Sequence, residues 1–331
     1  MFLKEKCDLC GDCLVNCKYL TYDKESAGAE IRRLINGEKA EILSSCITCC
    51  ACNEYCPTGA NPFDLINELQ ERYFAFFVPK TSWDFYNSVI ASPGRVTAGD
   101  PDKPALSLCV MPPVLPKDLI SGRMFEGLTL AQGGDYFCWF GYVHFGTETP
   151  VRKNAQKFVD AIASLNRREV VFLHDDCYAM IKSKAPEYGI PVRFKPIQIL
   201  EYIADYLKDH ESEIKKLSMR VAYQRPCASR YTPEKEKLVQ EIFDLVGVKW
   251  VDQKYKGVDS LCCGVLTLNA DPERGRAIMN RNLSDMEEHG AEGVVFLCPV
   301  CQYGLSEQAA QRGMRPIHII DLAKLALGEI L

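Results

Sequence analysis

Short apolar runs alternate with amphipathic stretches over the last two thirds of the chain. The apolar runs predict buried strands and lie at residues 105–109, 170–173, 220–224 and 294–297. The stretches 154–166 and 277–290 repeat their apolar residues at helical spacing, so we expect helices there. Strands that alternate with helices predict α/β units with mostly parallel sheets.

An internal repeat runs through the same region. Residues 168–181, REVVFLHDDCYAMI, match residues 292–305, EGVVFLCPVCQYGL, and the match extends upstream from 135–141 onto 259–265. We therefore expect two pseudo-symmetric α/β halves, residues 105–216 and 217–331, that face each other.

The N-terminal region has a different pattern. Residues 29–43 read as a helix, and Asn61-Pro62 predicts the start of another, with Asn61 as its cap. Proline, glycine and aspartate interrupt residues 78–104, so we expect a helical module over residues 1–75 and a linker over 76–104. The predicted fold class is α+β and multi-domain.

Composition narrows the function. The net charge of −5 and the interspersed signs disfavour nucleic acid as a partner. The sequence shows no secretory leader and no apolar stretch of spanning length, so we expect a cytoplasmic protein that reaches a membrane only through a partner subunit. Seventeen cysteines, an odd number clustered in CxxC steps, favour metal in a reducing compartment over disulfides.

Two cysteine runs dominate the N-terminal module. Each follows CxxCxxCxxxC, the spacing of two-cluster ferredoxins, in which the fourth cysteine binds the other cluster. One [4Fe-4S] set is then Cys7, Cys10, Cys13 and Cys56, and the other is Cys46, Cys49, Cys52 and Cys17. A zinc ribbon is the alternative, but it needs two CxxC pairs and not two runs of four.

Two details depart from the ferredoxin pattern: Lys18 stands where proline is usual, and Cys50 falls outside the spacing, so we expect it to bind no metal. The module resembles the helical two-cluster ferredoxin module of heterodisulfide reductases and of succinate dehydrogenase iron-sulfur subunits.

Five cysteines of the second half follow predicted strands or lie in turns: Cys227, Cys262, Cys263, Cys298 and Cys301. The adjacent pair before Gly264 is poorly suited to one small tetrahedral site. This pattern resembles the CCG domain of heterodisulfide reductases and of anaerobic dehydrogenase iron-sulfur subunits. The resemblance implies a noncubane [4Fe-4S] cluster on all five thiols, which would be the catalytic centre; a cubane on four of them is the alternative.

The first half keeps only part of this motif. Cys109, Cys138 and Cys177 remain, whereas Trp139 and His174 stand at the other two positions. Three thiols and an imidazole match a Cys3His zinc set. The alternatives are a site without metal and a low-order iron-sulfur cluster. His144, His210, His289 and His318 have no cysteine partner, and we expect them to be structural.

The whole chain is similar to those heterodisulfide reductase polypeptides in which a ferredoxin module is fused to two CCG-type halves. This resemblance implies an iron-sulfur oxidoreductase subunit. Two cubanes would relay single electrons to the cluster of the second half, which would reduce a small disulfide or form a thiol. A non-catalytic relay between a flavoprotein dehydrogenase and a quinone is the alternative.

Partner subunits would carry the remaining chemistry. Since no dinucleotide or Walker motif occurs, flavin or nucleotide chemistry would belong to partner redox subunits linked to a flavoprotein, a ferredoxin or a quinone. Arg225, Arg230 and Lys235 flank Cys227 and would suit an anionic substrate, although such charges are usually solvated.

Overall fold

The structure is a computed structural model that describes residues 1–330, in which fifteen helices and nine strands form. The helices are α1 Asp12–Val15, α2 Lys24–Ile35, α3 Ile42–Ser45, α4 Ala51–Tyr55, α5 Pro62–Tyr73, α6 Lys80–Ile90, α7 Thr149–Ala163, α8 Asp175–Ala179, α9 Ala185–Glu187, α10 Ile199–Asp209, α11 Glu236–Val246, α12 Val265–Ala270, α13 Pro272–Glu288, α14 Pro299–Gln311 and α15 Ile319–Ala326. The strands are β1 Arg95–Thr97, β2 Ala105–Cys109, β3 Thr129–Gln132, β4 Glu169–Phe172, β5 Lys195–Gln198, β6 Arg220–Gln224, β7 Lys249–Trp250, β8 Gly293–Phe296 and β9 Arg315–His318.

Two sheets with the same strand order confirm the α/β halves and their internal repeat. The first sheet runs β1-β3-β2-β4-β5 and the second β7-β6-β8-β9, and every pairing is parallel except that of β1 with β3. In each half the chain passes from the first parallel strand, β2 or β6, to a neighbour on one side, and then crosses to a neighbour on the other side. A crevice is expected at the carboxyl end of such a strand.

The two halves share one hydrophobic core. Leu106 and Val171 of the first sheet lie in the same buried cluster as Val221 and Val295 of the second. All residues of β2 and β8 are buried, because helices and loops cover both faces of the sheets. The cysteine-bearing ends of the two sheets are thereby held in a fixed relation.

Short helices make up the N-terminal module, which packs on both halves. Asp64 of α5 accepts a hydrogen bond from the Lys184 ammonium of the first half at 3.0 Å and one from the Tyr231 hydroxyl of the second at 2.6 Å. Burial opposes ionisation of this carboxyl, but Lys184 and the N-terminal ammonium outweigh it and lower the pKa of Asp64 to about 2. One carboxylate therefore joins all three parts of the chain.

The predicted start of α5 and its cap position at Asn61 are correct, but the capping bond comes from another residue. The helix begins at Pro62, but Asn61 has a left-handed backbone and its side chain makes no capping bond. The Asn53 side-chain oxygen accepts the bond from the Phe63 N–H at 2.8 Å instead. Sequence proximity favoured Asn61, whereas the helix packing brings Asn53 to the position.

Residues 76–104, expected as a linker, carry α6 and β1. Strand β1 pairs with β3 at the edge of the first sheet. Helix α6 packs its aromatic side chains on the first half, with the Tyr86 and Phe145 rings 4.4 Å apart and the Trp83 and Phe145 rings 4.9 Å apart. None of the helices within residues 1–330 is both long and apolar enough to cross a membrane.

Candidate functional site

The two N-terminal cysteine runs fold into the same backbone shape. Left-handed conformations occur at Leu9 and Gly11 in the first run and at the matching Thr48 and Cys50 in the second. Gly11 then precedes α1 and Cys50 precedes α4. Alternation of left- and right-handed residues turns successive N–H groups toward one concave side, where an anionic sulfur group is stabilised.

Cys50 has the position that Gly11 has in the first run. A side chain at Gly11 would meet Ala27, because an added Cβ would lie 2.9 Å from the Ala27 Cβ. Cys50 fits in its own loop, is fully buried and donates its S–H to the Thr48 carbonyl at 3.6 Å. This contact agrees with the expectation that Cys50 binds no metal.

The thiols of the two cysteine runs lie near one another. Burial, followed by the neighbouring thiols of Cys56, Cys10 and Cys7, raises the pKa of Cys13 to about 12. Burial likewise raises the pKa of Cys52, whose thiol neighbours are Cys13 of the other predicted set and then Cys46, Cys17 and Cys49 of its own. In each run the fourth cysteine therefore approaches the other run.

The spacing of the N-terminal thiols differs from that of a compact site for one metal ion. Three sulfurs on one tetrahedral zinc lie about 3.8 Å apart. Within residues 1–330, the one cysteine triad with all sulfurs within 4.8 Å of one another belongs to the first half, so the N-terminal thiols are spaced more widely. Backbone N–H groups also point at sulfurs, from Thr48 to Cys46 at 3.3 Å and from Ala60 to Cys56 at 3.3 Å. Such bonds are typical of iron-sulfur ligands.

The five cysteines of the second half form an extended row. Thiol contacts run from Cys227 to Cys262, then to Cys263, Cys301 and Cys298. Cys227 follows β6, the adjacent pair precedes α12, and the last two stand at the start of α14.

Gly264 lets the adjacent pair join this row. It has a φ of 79° at the start of α12, and its N–H points at the Cys262 sulfur at 3.4 Å. Cys262 and Cys263 therefore lie at different points of the row, which is longer than a site for one metal ion.

The first half contains a compact site instead. The sulfurs of Cys109, Cys138 and Cys177 lie within 4.8 Å of one another, and all three residues are buried. His174 is not part of this triad; its Nε2 lies 3.9 Å from the Cys298 sulfur and 3.9 Å from an Asp176 oxygen. The imidazole therefore stands between the sites of the two halves, and its role as a fourth zinc ligand remains a prediction.

Backbone geometry also shifts the alignment of the cysteine motifs of the two halves by one residue. The left-handed residue before the next helix is Trp139 in the first half and Gly264 in the second. Cys138 therefore corresponds to Cys263, whereas the sequence match places it opposite Cys262.

A cavity of about 480 Å³ separates the two cysteine sites. Its lining includes Cys109 and Cys138 of the first half, all five cysteines of the second half and residues of α6. His144, His174 and Asp176 also reach the cavity, and burial raises the pKa of Asp176 to about 6.

Sequence reasoning missed His144. Its Nδ1 lies 3.0 Å from the Thr48 carbonyl oxygen, so this nitrogen carries the proton and donates, which leaves Nε2 without that bond. The Thr48 hydroxyl donates in return to the His144 carbonyl at 3.0 Å. The two residues are far apart in sequence, and no local motif signals their contact.

The second N-terminal run contacts the five-cysteine site. The Tyr19 hydroxyl accepts a hydrogen bond from the Cys262 N–H at 2.6 Å, and Ile47 and Cys49 pack in one apolar cluster with Cys227 and Cys262. Lys18 forms an ion pair with Asp259 at 2.7 Å, which explains a lysine where the ferredoxin pattern has proline.

The cationic patch suggested by the sequence is not available to a substrate. Arg225 and Arg230 are buried and both bind Glu54, with Nη to Oε distances of 2.7 Å. Lys235 is buried against Asp175. These three side chains hold parts of the chain together and are not solvated, because each has a buried carboxylate partner.

Comparison with known proteins identifies one domain. Residues 221–306, which include all five cysteines of the second half, match the family model of the CCG cysteine-rich domain. No curated protein matches the chain.

Among solved structures, a hypothetical protein from Helicobacter pylori is similar at a TM-score of 0.55 and 12% identity, over 85% of this chain and 61% of that chain. The chain thus spans about three fifths of that protein, and the likeness concerns the fold alone. Picrophilus torridus aspartate racemase aligns over 69% of this chain and 94% of its own at 12% identity, with a TM-score of 0.35. The chain therefore contains a CCG cysteine-rich domain, and its clustered cysteines indicate metal or iron-sulfur binding.

Proposed function

We propose that the chain is an iron-sulfur oxidoreductase subunit similar to heterodisulfide reductase. Two [4Fe-4S] groups would be held by the eight N-terminal cysteines and a third by the five cysteines of the CCG domain. When bound, these groups would accept and release one electron at a time. The observation that carries the proposal is the cavity, because it meets the five-cysteine row directly beside the Cys46–Cys49 loop.

The residues around the cavity would bind a disulfide and supply protons. Reduction breaks one S–S bond, takes two electrons from a donor partner and two protons, and yields two thiols. His144 is suited to pass protons on, since the Thr48 carbonyl holds its Nδ1–H while Nε2 can take up a proton from solvent and release it to a substrate sulfur in the cavity.

The compact triad of the first half would hold one zinc ion. Cys109, Cys138 and Cys177 supply three thiols, and we propose His174 as the fourth ligand because its ring also lies against Cys138. The ion would close the wall of the cavity opposite the five-cysteine row.

A second candidate is a relay subunit that binds no substrate. It is favoured by the first half, whose compact triad replaces a second five-cysteine row. A disulfide would then meet such a row from one side only. In this case a flavoprotein, ferredoxin- or quinone-linked partner would carry out the chemistry in a cytoplasmic complex.

Turnover by single-cysteine variants distinguishes the two functions. The wild type, loaded anaerobically with iron and sulfide, is supplied with reduced viologen and a small disulfide, and thiol release is measured. We expect turnover in the wild type, its loss in Cys263→Ser and its retention in Cys50→Ala, the matched variant of a buried cysteine outside the sets. Reduction of all groups without any thiol release would favour the relay.

A further inference from the structure

The walls of the cavity indicate the class of molecule that it accepts, an inference that rests on the proposed function. These walls are mainly aromatic and aliphatic, with Phe85, Phe137, Val114, Leu266 and Val300 among the lining residues. None of the lining residues, all of which lie within residues 1–330, is lysine or arginine. A buried anion without a cationic partner is strongly disfavoured.

The cations that flank Cys227 in the sequence are already paired. Glu54 and Glu236 pair with Arg225, Glu54 also pairs with Arg230, and Asp175 pairs with Lys235 in the interior. Release of any of these side chains toward the cavity would break its ion pair. These side chains therefore offer no spare positive charge to a sulfonate, phosphate or carboxylate.

The polar groups of the cavity suit a neutral ligand. The His174 ring faces Asp176 and Cys298, each 3.9 Å from its Nε2. His144 donates its Nδ1–H to the Thr48 carbonyl, so the other nitrogen of the neutral ring carries no proton and offers an anion no hydrogen bond.

The entrance is aromatic as well. Phe85 on α6 is 53% exposed and Tyr303 on α14 is 73% exposed, and both reach the cavity. No residue of α6 is fully buried, and the same holds for α12, which also lines the cavity. The volume of about 480 Å³ lies within the range of small-molecule pockets.

We propose that the substrate is an uncharged, lipophilic molecule, and not an anionic thiol cofactor. A neutral disulfide and a neutral quinone share this chemistry. Either would place its apolar body against the aromatic walls.

Matched probe pairs test the charge preference. Diphenyl disulfide is compared with 4,4′-dithiobis(benzoate), and 1,4-naphthoquinone with its 2-sulfonate, by anaerobic calorimetric titration of the oxidised, metal-loaded protein. We expect the neutral member of at least one pair to bind about tenfold or more tightly than its anionic partner, which corresponds to about 1.4 kcal/mol. The pair that binds identifies the disulfide or the quinone as the source.

A surface variant sharpens this test. Phe85→Lys adds a cation at the entrance and should reduce the preference for the neutral probe, whereas Phe77→Lys, at a 69% exposed residue that does not line the cavity, should leave it unchanged. Equal or tighter binding of the anionic probes, or binding of none of the four, would overturn the inference. Since binding needs no turnover, a neutral probe that binds but is not reduced would contradict the proposed reductase activity and leave the inference standing.

Discussion

Replacement of Glu54 by glutamine should loosen the N-terminal module from the CCG domain. Glu54 accepts two hydrogen bonds from Arg225, at 2.7 and 3.1 Å, and one from Arg230 at 2.7 Å. The side chains of Arg225 and Arg230 are 1% and 4% exposed, and that of Glu54 is 18% exposed. Glutamine keeps the shape and removes the charge that balances both guanidinium groups.

The expected loss of stability depends on the partners that Arg225 and Arg230 keep. Arg225 retains Glu236 at 3.2 Å, but Arg230 is left with backbone carbonyls only, of Val258 and Ser260. Breaking a buried ion pair costs about 3–5 kcal/mol. Because Glu54 is partly exposed and glutamine still accepts one bond, we expect the lower end, about 3 kcal/mol.

Urea unfolding followed by circular dichroism measures this loss. Glu68→Gln, at a 56% exposed residue paired with Arg72, is the matched control and should leave the unfolding midpoint unchanged. If Glu54→Gln behaved like this control, the ion cluster would not join the module to the CCG domain. In the metal-loaded protein, the same variant should slow electron transfer to the CCG site.

Three further changes test other parts of the structure. Gly11→Ala should reduce iron binding by the first run, measured as iron per chain, because its φ is 75° and Ala27 leaves no room; full iron content would contradict the loop geometry. Burial lowers the pKa of His318 to about 4, so on acidification the unfolded chain binds a proton at a higher pH than the folded chain does. The free energy of unfolding should therefore fall by about 3 kcal/mol as the pH drops from about 6.5 to about 4. His318→Gln, the residue that ends the matching strand β5, should flatten this slope in urea titrations, and an unchanged slope would refute the assignment. Cys50→Ala should keep the wild-type iron content, and a loss of about four irons would make Cys50 a ligand.

Local patterns predicted most of the secondary structure. The apolar run at 105–109 forms β2, and the two VVF runs form β4 and β8, because a strand buried on both faces reads as a continuous apolar run. The repeat predicted two equivalent sheets, and the shared strand order confirms it. The spacing of the runs also predicts that each fourth cysteine binds the other cluster, and this assignment stays a prediction.

The sequence did not predict the long-range contacts. Tyr19 meets Cys262, and Thr48 meets His144, because three separately folded parts pack together, and neither contact leaves a local spacing. Arg225 and Arg230 looked like solvated charges, since only the packed structure brings Glu54 to them. Proline and glycine residues flank α6, so the sequence pattern did not predict its aromatic face.

We propose that three separate cysteine sets hold iron-sulfur groups, and metal analysis with EPR counts these groups. Anaerobically purified protein is assayed for iron, acid-labile sulfide and zinc. We expect about twelve irons and one zinc per chain, and the loss of about four irons together with one EPR signal in Cys263→Ser. About eight irons in the wild type, unchanged in Cys263→Ser, would mean that the CCG cysteines hold no group and would contradict this assignment.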